Sequence, residues 1–476
     1  MTFFSQFFEL RKNQAELDFV DVPVDGDIPL FIDPFAISQR PDRWSQACHH
    51  TLISFFQRIV ENIRSNRKEQ AKELLLHLRE PNETRLGLSA NQPQGAGIGD
   101  FQAELIYMAL QDSSAVRTGF LSSLEECELM IEGIGWDKIS DLTTNIIRLH
   151  LIDYTHEQCD LLNIPLQTVT QPPYFDPNLM QWVASYVELP LCENLPVLLV
   201  PKVIVRYHPA YDHRRYYRNF VLEYLKSENL EAGSSLVRTL RNGRRVVYKK
   251  DLEGIFPCTK DFLYHFSREH PNVLQEYRET LERFERIDRR SEIDPSDEGE
   301  IASILAQVLR SIPAGSANAT EYHSLMVGML EFLFFPNLLY PKKEREIHEG
   351  RKRIDILMEN GARSGIFHRL HDVRRIPCAY IPFECKNYLT EIANPELDQI
   401  SGRFSVNRGM VGLLCCRHFE DRGLFIQRCR DTFVDGRGLI LPLEDEAVLR
   451  FLNIIQDGQR GQLDVELSRL VDEVCL

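Results

Sequence analysis

The residues best suited to chemistry lie in the last third of the chain and are two carboxylates and a lysine. Glu384 and Lys386 are two positions apart in a stretch that predicts a β-strand. Alternation along a strand places their side chains on one face. Asp355 lies in an earlier stretch that also predicts a strand, and pairing of the two strands would bring it to the same place. Two carboxylates and the backbone carbonyl of Cys385 make an all-oxygen environment that suits Mg²⁺ or Mn²⁺.

A lysine beside two carboxylates indicates hydrolysis of a phosphodiester. Lys386 would orient or deprotonate an attacking water and offset the charge that grows on the phosphate. The alternative interpretation is a surface strand with an incidental Glu384–Lys386 pair, worth only fractions of a kcal/mol. The order of the surrounding predicted elements, which is helix, Asp strand, Glu-x-Lys strand, helix and apolar strand, favours the hydrolytic site.

These motifs resemble those of a known superfamily. From Ile354-Asp355 through 383–388 to 394–399, the chain resembles the PD-(D/E)XK, or restriction-endonuclease-like, nucleases. The Glu-Cys-Lys form of the second motif is similar to that of the Mrr-like group of bacterial restriction enzymes. Ile354 stands where the family name has proline, which is a frequent departure. The resemblance covers about residues 300–445.

The resemblance implies two further site residues. Glu321, at the start of a predicted helix over 321–334, matches the glutamate that often completes the metal shell in such families. Gln399, on the helix after the lysine strand, matches a glutamine that is common there. The implied catalytic set is therefore Asp355, Glu384, Lys386, Glu321 and Gln399, and the implied metal ligands are Asp355, Glu384, Cys385 and Glu321.

The fold and function that follow are expectations. The C-terminal domain is expected to be α/β, with a restriction-endonuclease-like mixed sheet flanked by helices. The expected activity is that of a Mg²⁺- or Mn²⁺-dependent DNA endonuclease in a bacterial restriction or anti-phage defence effector. Two alternatives stay open: a nucleic-acid-binding or assembly protein that uses the nuclease fold as a scaffold, and a DNA repair or junction nuclease.

The chain of 476 residues is long enough for about three domains. Residues 1–170 predict a mostly helical sensor or regulatory region, and 171–290 predict an α+β region with a basic hairpin. A polar, charged stretch around 286–299 predicts a boundary, and 299–476 predict the nuclease domain.

Positive charge is concentrated in two zones of a chain whose net charge is −15. Residues 201–250 contain 12 Lys or Arg and 4 Asp or Glu, and 341–440 contain 18 and 14. This pattern favours contact with a polyanion at defined places, although solvated faces, or docking on acidic regions or a neighbouring subunit, would also account for it. The residues predicted to contact nucleic acid are Arg241, Arg244, Arg245, Arg369, Arg374 and Arg403. The first three lie on a hairpin over 236–248, predicted to turn through a two-residue type I′ turn at Asn242-Gly243.

Composition excludes several classes of protein. With 43% hydrophobic and 26% charged residues the chain is neither disordered nor fibrous, and it contains no apolar run of the ~18 residues that a membrane span needs. Its N-terminus lacks the pattern of a signal peptide. Eleven cysteines without a C-x-x-C pair argue against a disulfide framework or a zinc site. We therefore expect a reduced, cytoplasmic protein whose partner is DNA, with RNA, a homo-oligomer or a partner defence protein as open possibilities.

Overall fold

The computed structural model describes residues 2–87, 98–119, 121, 123–285, 297–343, 356–392 and 394–476. Asp355 and most of the predicted boundary at 286–299 lie outside these described residues. One apolar core is built mainly from residues 4–281, and another mainly from residues 301–474. We call the parts of the chain around these cores the N-terminal unit (2–285) and the C-terminal unit (297–476). Because residues before and after 170 share the first core, the predicted boundary at 170 does not separate two cores.

The N-terminal unit is mostly helical in its first half. The Asp42 carboxylate accepts a hydrogen bond from Ser45 N at 2.8 Å, which is the N-cap that begins the long third helix. The helices here are α1 (Phe4–Phe7), α2 (Pro34–Ser38), α3 (Arg43–Arg64), α4 (Lys68–Leu75), α5 (Ile98–Asp112), α6 (Ser114–Thr118), α7 (Cys127–Met130), α8 (Trp136–Ile146) and α9 (Arg148–Leu162).

The N-terminal unit also contains short antiparallel strand pairs, and every strand in them except β1 follows α9. The strands are β1 (Phe31–Ile32), β2 (Gln167–Thr170), β3 (Tyr174–Asp176), β4 (Gln181–Val183), β5 (Tyr186–Leu189), β6 (Leu191–Cys192), β7 (Leu195–Pro196) and β8 (Val205–Arg206). They pair as β1–β8, β2–β5, β3–β4 and β6–β7. Val20 N donates to Val200 O at 2.9 Å, and Lys202 N donates to Asp18 O at 2.8 Å. These bonds fix the middle of the chain against its beginning.

The basic hairpin is present, but its turn differs from the prediction. Its strands are β9 (Arg238–Thr239) and β10 (Arg245–Val246), which pair antiparallel. Gly243 N donates to Leu240 O, Leu240 N donates to Arg244 O, and Gly243 has a φ of +80°. This is a three-residue loop that ends in a left-handed glycine rather than a two-residue type I′ turn. The surrounding helices are α10 (His213–Tyr216), α11 (Leu222–Ala232), α12 (Lys249–Glu253), α13 (Lys260–Glu269) and α14 (Pro271–Glu285).

The C-terminal unit is a five-stranded sheet with helices on both faces. Its helices are α15 (Glu298–Ser311), α16 (Ala319–Phe334), α17 (Gly365–His368), α18 (Asn394–Ser401), α19 (Arg422–Val434), α20 (Asp445–Gln456) and α21 (Leu463–Cys475). Its strands are β11 (Leu338–Lys342), β12 (Ile356–Asn360), β13 (Tyr380–Lys386), β14 (Val411–Cys416) and β15 (Leu439–Glu444). The strand order is β11-β12-β13-β14-β15, antiparallel from β11 to β13 and parallel from β13 to β15. Across the described ranges, no helix combines the length and apolar character needed to cross a membrane.

The N-terminal unit covers the edge of this sheet. β11 is an edge strand, whose free backbone groups would otherwise invite pairing with another chain. The Asp18 carboxylate accepts hydrogen bonds from Tyr340 N at 3.2 Å and from Tyr154 OH at 2.7 Å. Gln158 Nε2 donates to Pro341 O at 2.8 Å. Through these bonds, Asp18 and helix α9 of the N-terminal unit are joined to the backbone of β11.

Helix α16 forms a second contact between the units. Lys12 Nζ donates to Ser324 O at 2.7 Å. A methyl group at Gly328 would lie 3.2 Å from Glu16 Cβ and closer still to the ends of both charged side chains. Glycine at this position therefore allows the N-terminal segment to lie directly against the helix.

A buried ion pair completes the contact between the units. Lys202 Nζ lies 3.2 Å from Glu331 Oε1 on α16, and the two side chains are 0% and 1% exposed. The Lys202 ammonium also lies 4.2 Å from the centroid of the Phe335 ring. Removal of one partner of such a pair leaves a charge in a low-dielectric environment.

We predict that Lys202→Met lowers the free energy of unfolding by ~3–5 kcal/mol, because it leaves the Glu331 carboxylate buried without its cation. Lys202→Met with Glu331→Met should recover a large part of the loss. Chemical denaturation of the full chain measures both. Lys226→Met is the matched control, since the Lys226–Glu223 pair is on the surface and contributes ~1 kcal/mol at most. Equal losses in the two single variants would contradict the prediction.

Candidate active site

Strand β13 positions the candidate site because it is the central strand of the sheet. Phe383 pairs with Ile356 on β12 and with Leu413 on β14. The Phe383 ring stacks on Phe334 of α16, with 6.3 Å between the ring centroids. The next residue, Glu384, therefore points to the opposite face of the sheet, on which α18 lies.

The Glu384 carboxylate is buried, and among the described residues three side chains donate hydrogen bonds to it. Its Oε1 accepts from Lys386 Nζ at 2.5 Å and from Gln399 Nε2 at 2.8 Å. Its Oε2 accepts from Arg403 Nη1. Glu384 is 1% exposed, whereas Lys386 is 13% exposed and lies at the opening of the cluster. The structure thus brings together the predicted Glu384, Lys386 and Gln399.

Helix α18 carries Gln399 and leads into Arg403, one turn further on. It lies close to the sheet because Gly412 of β14 has no side chain: a methyl group there would lie 2.8 Å from the Phe404 ring and 3.0 Å from Ile400. Positions four apart on a helix share a face. Arg403 lies after Ser401, the last residue of α18, but Gly402 N donates to Asp398 O and Arg403 N donates to Ile400 O. The chain therefore continues to turn as a helix does, and both side chains reach the same carboxylate.

Arg403 is placed differently from its prediction as a nucleic-acid contact. Its side chain is 1% exposed, so in this conformation it is an internal partner of Glu384 rather than a surface cation. Its Nε and Nη2 atoms are buried without a hydrogen-bond partner in the part of the chain that the structure describes. A buried donor without an acceptor is costly, so this guanidinium is only partly satisfied.

Glu321 lies at the same end of the sheet as Lys386 but is exposed. It is in the first turn of α16. The loop before that helix is tied to the residue after Lys386, because Gly315 N donates to Asn387 O at 2.9 Å and Asn387 Nδ2 donates to Gly315 O at 2.8 Å. Among the described residues, Glu321 makes no hydrogen bond to Glu384 or Lys386.

Behind β13 lies a polar group that the sequence did not reveal. Cys385 is half-buried and packs on the core side. On that side Tyr322 OH donates to Asp445 Oδ1 at 3.0 Å, and Arg417 Nη1 lies 3.2 Å from Asp445 Oδ2. Burial raises the pKa of the Asp445 carboxyl to about 6. These three residues come from segments far apart in the chain, and no local sequence pattern indicated that they meet.

The remaining predicted cations fall into two groups. Arg369 donates to Asp464 Oδ2 at 2.9 Å, and Arg374 donates to Asp472 Oδ1 at 2.7 Å, so both are paired with α21. The hairpin residues Arg241, Arg244 and Arg245 are exposed. Arg245 Nη2 also donates to Leu230 O at 2.8 Å, which attaches the hairpin to the end of α11.

A cleft of about 440 Å³ between α9 and the sheet was also not foreseen. Asp153, His156, Glu157 and Asp160 line one side, and Lys342, Lys343 and Leu357 line the other. Lys342 Nζ lies 3.1 Å from Glu157 Oε1, and Lys343 Nζ donates to Asn163 Oδ1 at 2.9 Å. Because helix α9 and the residue after it already hold both lysines, the cleft does not present a ready cation to an anionic ligand.

The oxygen atoms of the described site are of the chemical type that a divalent metal ion binds. Within the described ranges, no three His, Cys, Asp or Glu side chains come together as metal ligands. The described site contributes the Glu384 carboxylate and the backbone carbonyl of Cys385, which are oxygen ligands of the type Mg²⁺ accepts. Asp355, the predicted second carboxylate, lies outside the described residues. In the sequence it directly precedes Ile356, the first residue of β12.

Comparisons with known proteins concern the N-terminal unit alone. A family model described as a domain of unknown function (DUF8370) matches residues 9–212. That span contains Lys202 and Asp18 of the interface between the units but none of the predicted catalytic residues. No curated protein and no solved structure matches the chain.

Proposed function

We propose that the C-terminal unit is a metal-dependent endonuclease that hydrolyses phosphodiester bonds of DNA on a restriction-endonuclease-like fold. The observation that carries the proposal is the convergence of Lys386 and Gln399 on the buried Glu384 carboxylate of the central strand. The mixed directions of the strands, with helices on both faces, support the same fold.

The residues that would hold Mg²⁺ or Mn²⁺ are Asp355, Glu384, Glu321 and the backbone carbonyl of Cys385. A bound divalent cation supplies charge to offset that of the phosphate and lowers the pKa of a coordinated water. The first turn of α16 supports a role for Glu321, because the Gly315–Asn387 bonds hold that end of the helix beside the end of β13.

Lys386 is the residue that would act on the attacking water. Its ammonium is held by Glu384 Oε1 at 2.5 Å, and its side chain is more exposed than those of Glu384 and Arg403, which favours access of a water and a phosphate. Gln399 donates to the same oxygen and orients the carboxylate. In this proposal Lys386 handles the proton and contacts the phosphate, and Gln399 orients the Glu384 carboxylate.

The joining of this unit to a larger unit supports a regulated enzyme, such as a bacterial restriction or anti-phage defence effector in the cytoplasm. Contacts of the N-terminal unit with α16 and β11 give it a route to influence the site. In this proposal DNA is the substrate, the hairpin is a second DNA contact, and the N-terminal unit responds to a signal or to a partner protein.

We predict that cleavage of circular and linear DNA requires Mg²⁺ or Mn²⁺, stops in EDTA, and falls by ~10²–10⁴-fold in Lys386→Met and Asp355→Asn. Glu384→Gln is preferred to Glu384→Ala, because the glutamine amide keeps an oxygen that can accept a hydrogen bond from the buried Arg403 guanidinium, whereas alanine removes that acceptor. Gel assays on circular, linear and single-stranded DNA and on RNA measure the activity. Lys226→Met is the control for loss of a lysine on the surface. Full activity in EDTA, or in a folded Lys386→Met protein, would refute the assignment.

We predict that Glu321→Gln raises the Mg²⁺ concentration needed for half-maximal cleavage by ~10–100-fold while DNA affinity changes little. Loss of a carboxylate near the ion weakens binding of Mg²⁺ by the protein and leaves the DNA contacts unchanged. Glu300→Gln is the matched control, because Glu300 is an exposed acid in the first turn of α15. If Glu321 serves only the helix dipole, both variants will cleave normally and lose fractions of a kcal/mol of stability.

We predict that Arg241→Glu, Arg244→Glu and Arg245→Glu together weaken DNA binding alike for all sequences. They should also reduce the slope of log affinity against log salt by ~2–3, since each lost phosphate contact releases about one fewer counterion. Cleavage at saturating DNA should persist. Binding is measured at several salt concentrations.

The control for this variant carries the same change of charge elsewhere. Arg58, Arg283 and Arg469 are exposed arginines with only surface ion pairs, and their reversal to Glu should leave the salt slope closer to that of the wild type. If the hairpin instead docks on an acidic region or a second subunit, its reversal will change the thermal midpoint or the sedimentation of the protein and leave the slope on DNA unchanged.

A further inference from the structure

Arg403 is the least satisfied member of the Glu384 cluster. One nitrogen, Nη1, meets Glu384 Oε2, while Nε and Nη2 are buried without a hydrogen-bond partner in the described part of the chain. Nε and Nη2 form one edge of the planar guanidinium, and such an edge binds two oxygens of a carboxylate or a phosphate side by side. The residue therefore makes one contact and has a complete two-donor edge without an acceptor.

The two cationic side chains beside Glu384 oppose the binding of a metal cation. An ionised carboxylate has about four acceptor positions, and three donors from the described part of the chain use the two oxygens of Glu384. Two of those donors, Lys386 and Arg403, are cationic, so the described side chains that contact Glu384 bring two positive charges to one carboxylate. In a poorly solvated site each neighbouring cation weakens the attraction between Glu384 and a divalent ion.

We propose that Arg403 is the resident counter-ion of Glu384, that it competes with the divalent metal for this carboxylate, and that an oxyanion of the phosphate class draws it away. The proposal rests on the proposed function, because it concerns the same metal site. Arg403 is then a positioning residue that makes metal binding depend on the presence of substrate phosphate. The pairing of its free edge with a phosphate would satisfy the two donors that lack partners.

Lys386 is less suited to this role. It is 13% exposed, and its contact is with Oε1, which it shares with Gln399. Arg403 occupies Oε2 and has the spare donors. Loss of the Arg403 charge still leaves Glu384 two donors, so a neutral substitution does not strand a bare carboxylate in the sheet.

The test measures binding of Mn²⁺ to the full chain, by calorimetry and by the electron paramagnetic resonance signal of free Mn²⁺. We expect Arg403→Gln to bind Mn²⁺ on the order of tenfold more tightly than the wild type, because one competing charge is gone. Arg403→Lys retains the charge and should bind as weakly as the wild type. Arg283→Gln is the control, since Arg283 is an exposed arginine of α14 that is paired with Glu279 on the same helix.

A second measurement tests the exchange with an oxyanion. Inorganic sulfate, a soluble analogue of phosphate, should tighten Mn²⁺ binding to the wild type and have little effect on Arg403→Gln, as reciprocal coupling requires. Thermal denaturation verifies that each variant is folded, and any variant that is not folded is replaced by Arg403→Met.

The outcomes separate this inference from the proposed function. If wild type cleaves DNA but Arg403→Gln binds Mn²⁺ no more tightly, or Arg403→Lys tightens it equally, the inference is wrong and the nuclease stands. If Arg403→Gln tightens Mn²⁺ binding while no form of the protein cleaves nucleic acid, the inference stands and the nuclease falls. Absence of Mn²⁺ binding in wild type and variants alike overturns both.

Discussion

A carboxylate buried in the middle of a sheet is the constraint on which the C-terminal unit depends. Burial of an ionised group in a protein interior is unfavourable unless donors and countercharges surround it. Glu384 meets that requirement through Lys386 on its own strand and through Gln399 and Arg403 from α18 and the turn that follows it. Helix α18 must therefore occupy a fixed position on the sheet, and Gly412, which has no side chain, allows the helix to pack closely against β14.

An apolar residue at position 384 would pack in this strand without the free-energy cost of burying a charged carboxylate. Phe383 shows how such a position packs, since its ring stacks on Phe334 in the core on the other face. Replacement of buried ionic groups by apolar ones is often neutral or stabilising. A buried glutamate with three donors is thus a costly arrangement for a purely structural role, and this cost favours a chemical use of the carboxylate.

Helix α16 links that site to the N-terminal unit. Its first turn, with Glu321, lies beside the end of β13, while Ser324 and Glu331 on the same helix contact Lys12 and Lys202 of the N-terminal unit. A rigid helix with contacts at both places cannot shift at one without affecting the other. The units are therefore joined mechanically as well as covalently, and the contact is specific because it includes a buried ion pair.

The sequence predicted the site where spacing alone decides geometry. Period two on a strand placed Glu384 and Lys386 together, and the helical turn from Gln399 to Arg403 placed both on one face. It could not predict that Arg403 points inward, because its direction is set by the chain turn after α18 and by Phe404 packing on Gly412. The approach of Asp445 to the back of β13 depends on tertiary contacts between segments far apart in the chain, which no local pattern encodes.

The number of basic residues in a zone is a weaker guide to nucleic-acid binding than the position of each residue in the fold. A chain with a net charge of −15 can attract a polyanion only where its cations are not already neutralised within the fold. Arg369 and Arg374 belong to a basic zone, yet both are paired with carboxylates of α21. Arg241 and Arg244 belong to the other zone and are exposed at the tip of a hairpin. The zone at 201–250 is therefore the better candidate for a nucleic-acid surface, because its charge is directed outward.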